Sequence, residues 1–260
     1  MGEPAAVTGA SGVREVKSAV RTIEVIEYLA HRQANPARLK EVSDALGAPR
    51  SSTYALLRTL IGCGWVQSDE SGNLYSLGIK ALIAGTSYID AVPYVRIVRP
   101  ILADLALKLN ETIHFGRLDG DQIVYPATQE SHQEVRAYNR VGRRLPAWAT
   151  SLGKAVLAEQ PPHTLPTQLS PLTPHTITDR DDLLEDLEKT RQRGYSIDLE
   201  ENTMGLRCYG MALHYTAPAR DSISCSIPLS RLTPDLEKAV LEAMSGARLR
   251  IEQSAPLLTR

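Results

Sequence analysis

LKEVSDALGAPRSSTYALLRTLIG, residues 39–62, is the stretch on which the reading of this chain turns. Leu39, Val42, Ala45 and Leu46 repeat at helical spacing and stop at Gly47, which reads as one short helix. After Ala48-Pro49 a second helix opens at Arg50 or Ser51. Thr53, Leu56, Leu57 and Leu60 fall on one stripe of it, at i, i+3, i+4 and i+7, and face inward. The opposite face then carries Arg50, Ser51, Ser52, Tyr54, Ala55 and Arg58. Two short helices on a tight glycine turn, the second lined with hydroxyls and arginines, make a helix-turn-helix. Short hydroxyl side chains at a helix start can approach phosphates and base edges. Arginine can hold a phosphate or pair in bidentate fashion with guanine. Arg50, Ser51, Ser52, Tyr54 and Arg58 are therefore the expected DNA-contacting residues.

Upstream, Ala19, Ile23, Ile26 and Ala30, with Val20 and Leu29 beside them, predict an amphipathic helix that fades at Asn35-Pro36. Downstream, Trp65–Ser68 and Leu74–Leu77 alternate around a polar turn at residues 69–73, the pattern of a β-hairpin. Helix-turn-helix plus hairpin is a winged helix. The wing tip holds Asp69 and Glu70 and no basic residue, so it is expected to be repelled by phosphate and to contribute little. The plainer alternative is a small helical domain that docks protein.

Composition argues mildly against nucleic-acid binding, so the positive case must come from pattern. The 260 residues carry a net charge of -1, and 43% are hydrophobic. Charges are also balanced over the first 90 residues, so the case rests on where they stand. No apolar run approaches the roughly 20 residues of a membrane helix. Residues 1–13 read as a disordered tail rather than a secretory signal. Cys63, Cys208 and Cys225 are odd in number and far apart, which suits reduced thiols in a cytoplasm.

Beyond the wing, Ile79, Leu82, Ile83 and Thr86 form a helical stripe running to Pro93, and a second helix carries Val95, Val98, Leu102, Leu105 and Leu109, with Pro100 as an expected kink. Strands are expected at 112–117, 122–127, 134–138, 206–213 and 222–227. Helices are expected at 151–158, at 181–191 (capped by Thr178 or Asp179 and closed by Gly194) and after Pro234. The class is α+β: a winged helix-turn-helix (14–78), a linker helix (79–92) and an antiparallel-sheet domain (93–255).

These stretches resemble the IclR-type bacterial regulators. SAVRTIEVIEYLA, the 39–66 segment and YSLGIKAL are similar to that family's DNA-binding half. LPAWATSLGKAVLAE, TPHTITDRDDLLEDLEKTRQRGYSIDLEENTMGLRC and SISCSIPLSRL are similar to its sensing half, in order and register over about residues 14–250. The chain departs from the family at Ala55, where an arginine is frequent, at Ser52, and at residues 209–213 beside the expected pocket. The resemblance implies a GAF-like sensing fold and a homodimer or dimer of dimers on a roughly palindromic double-stranded operator. It also implies a small-molecule effector, with no cofactor. Positions matching Ser151, Leu152, Asp198, Cys208, Ser224 and Ser226 line the family's effector pocket.

The residues themselves say less about the ligand. Thr150-Ser151-Leu152-Gly153 opens a helix and so offers an anion seat, with Lys154 either adding a charge or standing in solvent. Asp198, Glu200 and Glu201 read either as ligand acceptors or as a solvated acidic loop. Ser224 and Ser226 share one strand face. Two rivals stay open: a GAF-like thiol redox enzyme using Cys208 and Cys225, and a zinc site drawn from His114, His132, Cys208 or His214, none of which shows a metal spacing.

Overall fold

A computed structural model describes residues 15–32, 34–137 and 140–255. The expected tail, residues 1–13, lies outside them. The chain divides into two units at Tyr88/Ile89, and α4 (Ile79–Ala91) spans the division as one helix.

In the N-terminal unit, α1 (Lys17–Arg32), α2 (Leu39–Ala45) and α3 (Arg50–Gly62) surround an aliphatic core. Their sheet has the order β1-β3-β2, with β1 (Ala37–Arg38), β2 (Val66–Ser68) and β3 (Leu74–Leu77) antiparallel. β1 is too short to register in the sequence; it is the leading edge of α2 drawn onto the wing. The α1 stripe is phased differently from the expectation. Val25 and Leu29 are buried, whereas Ile23 and Ala19 stand in solvent. α1 has two apolar stripes, and the core takes the one continuous with Ile26 and Tyr28. The wing's negative tip also has a local use. Asp69 Oδ1 accepts from the backbone N–H groups of Asn73 (2.9 Å) and Leu74 (2.8 Å), and Oδ2 accepts from Ser71 Oγ. These bonds hold its carboxyl below the usual range, the Ser71 bond first.

The C-terminal unit is a six-stranded antiparallel sheet in the order β6-β5-β4-β9-β8-β7. The strands are β4 (Thr112–Asp119), β5 (Gln122–Gln129), β6 (Arg144–Pro146), β7 (Ser196–Leu199), β8 (Leu206–Leu213) and β9 (Asp221–Pro228). The strand expected at 134–138 is absent over residues 134–137, and Tyr138 lies outside the described residues. The edge position belongs instead to the three-residue β6, whose Pro146 is tolerated because an edge strand can spare a donor. One face of the sheet packs α5 (Pro93–Leu109) and α8 (Pro234–Ser254) through Ile113, Phe115, Tyr209, Met211, Ile223, Cys225 and Ile227. The other face receives α6 (Ser151–Leu157), outside which lies α7 (Arg180–Arg193).

Helix starts follow the caps written in the sequence. Thr150 Oγ1 accepts from Gly153 N, Asp179 from Asp181 N and Asp182 N, and Thr233 from Leu236 N. Gly194, at φ +79°, closes α7 in the left-handed region. Gly210 lets α6 sit on β8: a Cβ there would lie 2.2 Å from Ser151 O.

Candidate DNA-reading face and effector pocket

α3 is fixed by what it buries. Thr53, Leu57 and Leu60 are inside, and Leu56 is half-buried. The helix can satisfy these only by turning Arg50, Ser51, Tyr54, Ala55 and Arg58 outward, and all five are exposed. Among the described residues neither Arg50 nor Arg58 enters an ion pair, so both guanidinium groups stand unneutralised on this surface. Ser52 differs from its neighbours. It is half-buried and its Oγ donates to Pro49 O at 2.9 Å, tying it to the helix's own first turn. The face has the chemistry of a nucleic-acid reader: cationic forks and small hydroxyls on the exposed side of a helix that packs beside a wing.

The second site lies where α6 meets the sheet. Ser151, Asp198, Cys208, Ser224 and Ser226 line one small cavity together with Tyr125, Thr150, Asn202, Thr203 and Leu206. The register explains the convergence. Asp198 pairs Cys208 and Cys208 pairs Ser226, so three neighbouring strands present them in one row on the α6 face. Leu152 is not in the lining; it packs with Ile123 and Tyr125. The cavity holds about 20 Å³, room for about one water. Its walls supply several hydroxyls and one carboxyl.

That carboxyl is unusual. Asp198 is buried, and its Oδ1 accepts from Glu201 N at 2.8 Å and Asn202 N at 3.4 Å. Burial first, then the neighbouring Glu201 charge, raises Asp198 to about 7. Neither reading of Lys154 survives. It is neither a solvated lysine nor a cavity cation: only 1% exposed, its Nζ lies 2.5 Å from Glu201 Oε1 and 2.9 Å from Asp186 Oδ2. Asp186 also faces Arg193 at 3.6 Å. The acidic segment is likewise no solvated loop, since Asp198 and Glu201 are buried and Glu200 is half-buried. The expected anion seat is partly spent, because Gly153 N is taken by Thr150 Oγ1 at 3.0 Å.

The thiol-pair rival fails on strand parity. Tyr209, not Cys208, pairs with Cys225, so the two sulfurs point to opposite faces of the sheet. Cys208 faces the cavity and Cys225 the α5/α8 core. Burial pushes both thiols well up, the opposite of a reactive thiolate. Two of the zinc candidates, His114 and His214, are engaged with other partners. His114 Nδ1 is 3.0 Å from Thr128 Oγ1, and His214 sits between Glu159 and Glu252. Among the described residues no cluster of three or more His, Cys, Asp or Glu is placed to hold a metal.

Tyr125, Asn202, Thr203 and Leu206 are cavity residues the sequence did not single out. Tyr125 arrives by strand pairing, Asn202 and Thr203 through the β7–β8 loop, and Leu206 at the start of β8.

Comparison with known proteins agrees with this geometry. Residues 18–70 match the family model described as the IclR helix-turn-helix domain, and residues 86–252 match bacterial transcriptional regulator IclR C-terminal. The chain is 33% identical over 239 residues to the HTH-type transcriptional repressor AllR of Klebsiella pneumoniae, covering 90% of this chain and 85% of that one. It is 29% identical over 250 residues to the HTH-type transcriptional regulator XynR of Escherichia coli, covering 94% and 96%. Among solved structures, a transcriptional regulator from Rhodococcus sp. superposes with a TM-score of 0.81 at 27% identity, over 94% of this chain and all of that one. An IclR homolog from Microbacterium hydrocarbonoxydans, complexed with 4-hydroxybenzoate, shares the fold with a TM-score of 0.78 at 18% identity, over 92% and 99%.

Proposed function

This chain belongs to the IclR family of bacterial transcriptional regulators, and from that premise we propose which of its residues read DNA and which sense the effector. It is a DNA-binding transcription regulator with a C-terminal effector-binding domain. Arg50, Ser51, Tyr54 and Arg58 enter the major groove, with Ser52 holding the helix start. The single observation that supports this most is that both arginines face outward, without an ion pair among the described residues, on a helix whose other side packs into the core.

The effector is a small polar metabolite, an acid or a polyol, held by Ser151, Asp198, Cys208, Ser224 and Ser226. The convergence of these five in one polar cavity supports it. Sensing proceeds without chemistry on the thiols, and the protein works where the DNA is, in the cytoplasm.

The functional unit is a homodimer or dimer of dimers. α4 buries none of its residues, leaving Ile79, Leu82, Ile83 and Tyr88 in solvent, and α1 leaves Val16 and Ile23 exposed. Apolar helix faces of this kind support self-association, and a two-fold dimer reads a palindromic operator.

The test is fluorescence anisotropy with the gene's own upstream duplex. Affinity falls steeply as salt rises. Arg58→Ala weakens binding by about 1–3 kcal/mol if it reads a base, and less if it holds a phosphate. A scrambled duplex held as tightly as the native one would end the assignment of these residues.

A further inference from the structure

Beside the Asp198–Cys208–Ser226 row runs a second row of the sheet, which meets the cavity at Ser224. Ser196, Gly210, Ser224, His114 and Thr128 follow one another in register across five strands on the same face of the sheet. The cavity reaches Ser224 and stops. The next side chain, His114, is 1% exposed. Its Nδ1 is engaged by Thr128 Oγ1, and its Nε2 has no hydrogen-bond partner among the described residues. The ring meets Tyr125 edge to face, with centroids 5.4 Å apart, and Tyr125 is a wall of the cavity. One aromatic side chain thus touches both the cavity and an orphaned imidazole.

A buried polar atom without a partner is expensive, and a leucine of similar volume would fill this position without that cost. Burial, with Arg143 nearby, pushes the imidazole down to about 3, so it is neutral whenever an effector arrives. The cavity as it stands holds about one water. His114 is closed off from the cavity, so an effector group that reaches it must move the side chain between them.

We propose that Tyr125 is the wall that yields, and that His114 is a specificity-determining residue whose Nε2 takes a hydroxyl group of the effector. The inference rests on the pocket being the effector site. A hydroxyl is the group selected because it serves either tautomer: it donates to Nε2 when Nδ1 carries the proton, and accepts from it otherwise. A carboxylate can only accept. The effector is a small hydroxylated metabolite, its hydroxyl directed toward β4 and a second polar group toward Asp198 and Cys208.

The experiment is isothermal titration of the full chain with matched pairs of probes: glycolate and acetate, D-glycerate and propionate, 4-hydroxybenzoate and benzoate. The hydroxylated member of at least one pair binds ten-fold or more tightly than its partner. In His114→Leu that ratio falls to within about two-fold, and His114→Gln, which keeps a polar atom, restores part of it. The unliganded His114→Leu protein melts no lower than the wild type, the mark of a polar group kept for a ligand rather than for folding. The inference is overturned if the hydroxyl preference persists undiminished in His114→Leu, or if that variant fails to fold or melts well below the wild type. Binding that responds to Ser224→Ala but not to His114→Leu leaves the pocket reading standing and removes this one. If no probe binds the wild type, both are withdrawn.

Discussion

Replacing Lys154 with Met should destabilise the sensing domain far more than a surface lysine would. The Nζ is 2.5 Å from Glu201 Oε1 and 2.9 Å from Asp186 Oδ2, inside a helix with all seven residues buried. Methionine keeps the length and removes the charge, leaving two carboxylates without their shared cation. Removing one partner of a buried pair costs about 3–5 kcal/mol. Asp186 is a fifth exposed and retains Arg193, so most of the loss falls on Glu201, and the lower figure, about 3 kcal/mol, is expected. For a domain of this size that is a drop of about 6–12 °C in melting temperature. Trp148 is buried in this unit, and its fluorescence in a Trp65→Phe background reports the transition. The cost arises from an orphaned charge, so Glu201→Gln added to Lys154→Met should recover most of it.

The deficit should also depend on pH. Burial already raises Glu201, and losing the lysine raises it further. A carboxyl raised in the folded state stabilises most below its unfolded value and least above its folded one. The deficit therefore narrows as pH falls toward the ordinary carboxylate range. A Lys154→Met protein that melts within 2 °C of the wild type at pH 8 would refute the reasoning.

Three further outcomes follow from the same geometry. Asp198 is raised to about 7, so its contribution to stability is full below about pH 4 and lost as pH rises through 7; Asp198→Asn should flatten that slope and melt above the wild type at pH 8, and a lower melting point there would count against the buried-acid assignment. Gly210→Ala drives a Cβ to 2.2 Å from Ser151 O and 2.6 Å from Ser196 Oγ, and should cost about 3 kcal/mol or more as α6 lifts from β8; a melting temperature equal to the wild type would show that the helix has slack. Ile23→Glu with Leu82→Glu should leave the monomer folded but lower the mass of the sedimenting assembly and weaken operator binding; an unchanged mass would place the dimer contact elsewhere.

The helix-turn-helix was readable because its apolar spacing admits one phase: once Thr53, Leu57 and Leu60 are inside, Arg58 has nowhere to go but out. α1 was misphased because it has apolar residues on two sides, and spacing alone cannot choose between them. Five pocket residues were legible through the family resemblance, and the alternation of β9 put Ser224 and Ser226 together. Tyr125 and Asn202 were not, since they join the cavity through strand pairing and a loop that no local pattern records. Lys154 is the instructive miss. SLGKAVL offers no other charged residue to face water, which is the signature of a helix buried all round. A lysine in such a helix calls for carboxylates, and Asp186 and Glu201 were available.

β9 shows how one strand can alter a cavity without the domain coming apart. Odd positions from Ile223 to Ile227 belong to the apolar layer beneath α5 and α8, while even positions from Ser222 to Ser226 look toward α6 and the cavity. The backbone ladder to β4 and β8 is indifferent to both sets. Descendants of this chain can therefore rewrite the even letters of one strand and reshape the cavity on an unaltered scaffold.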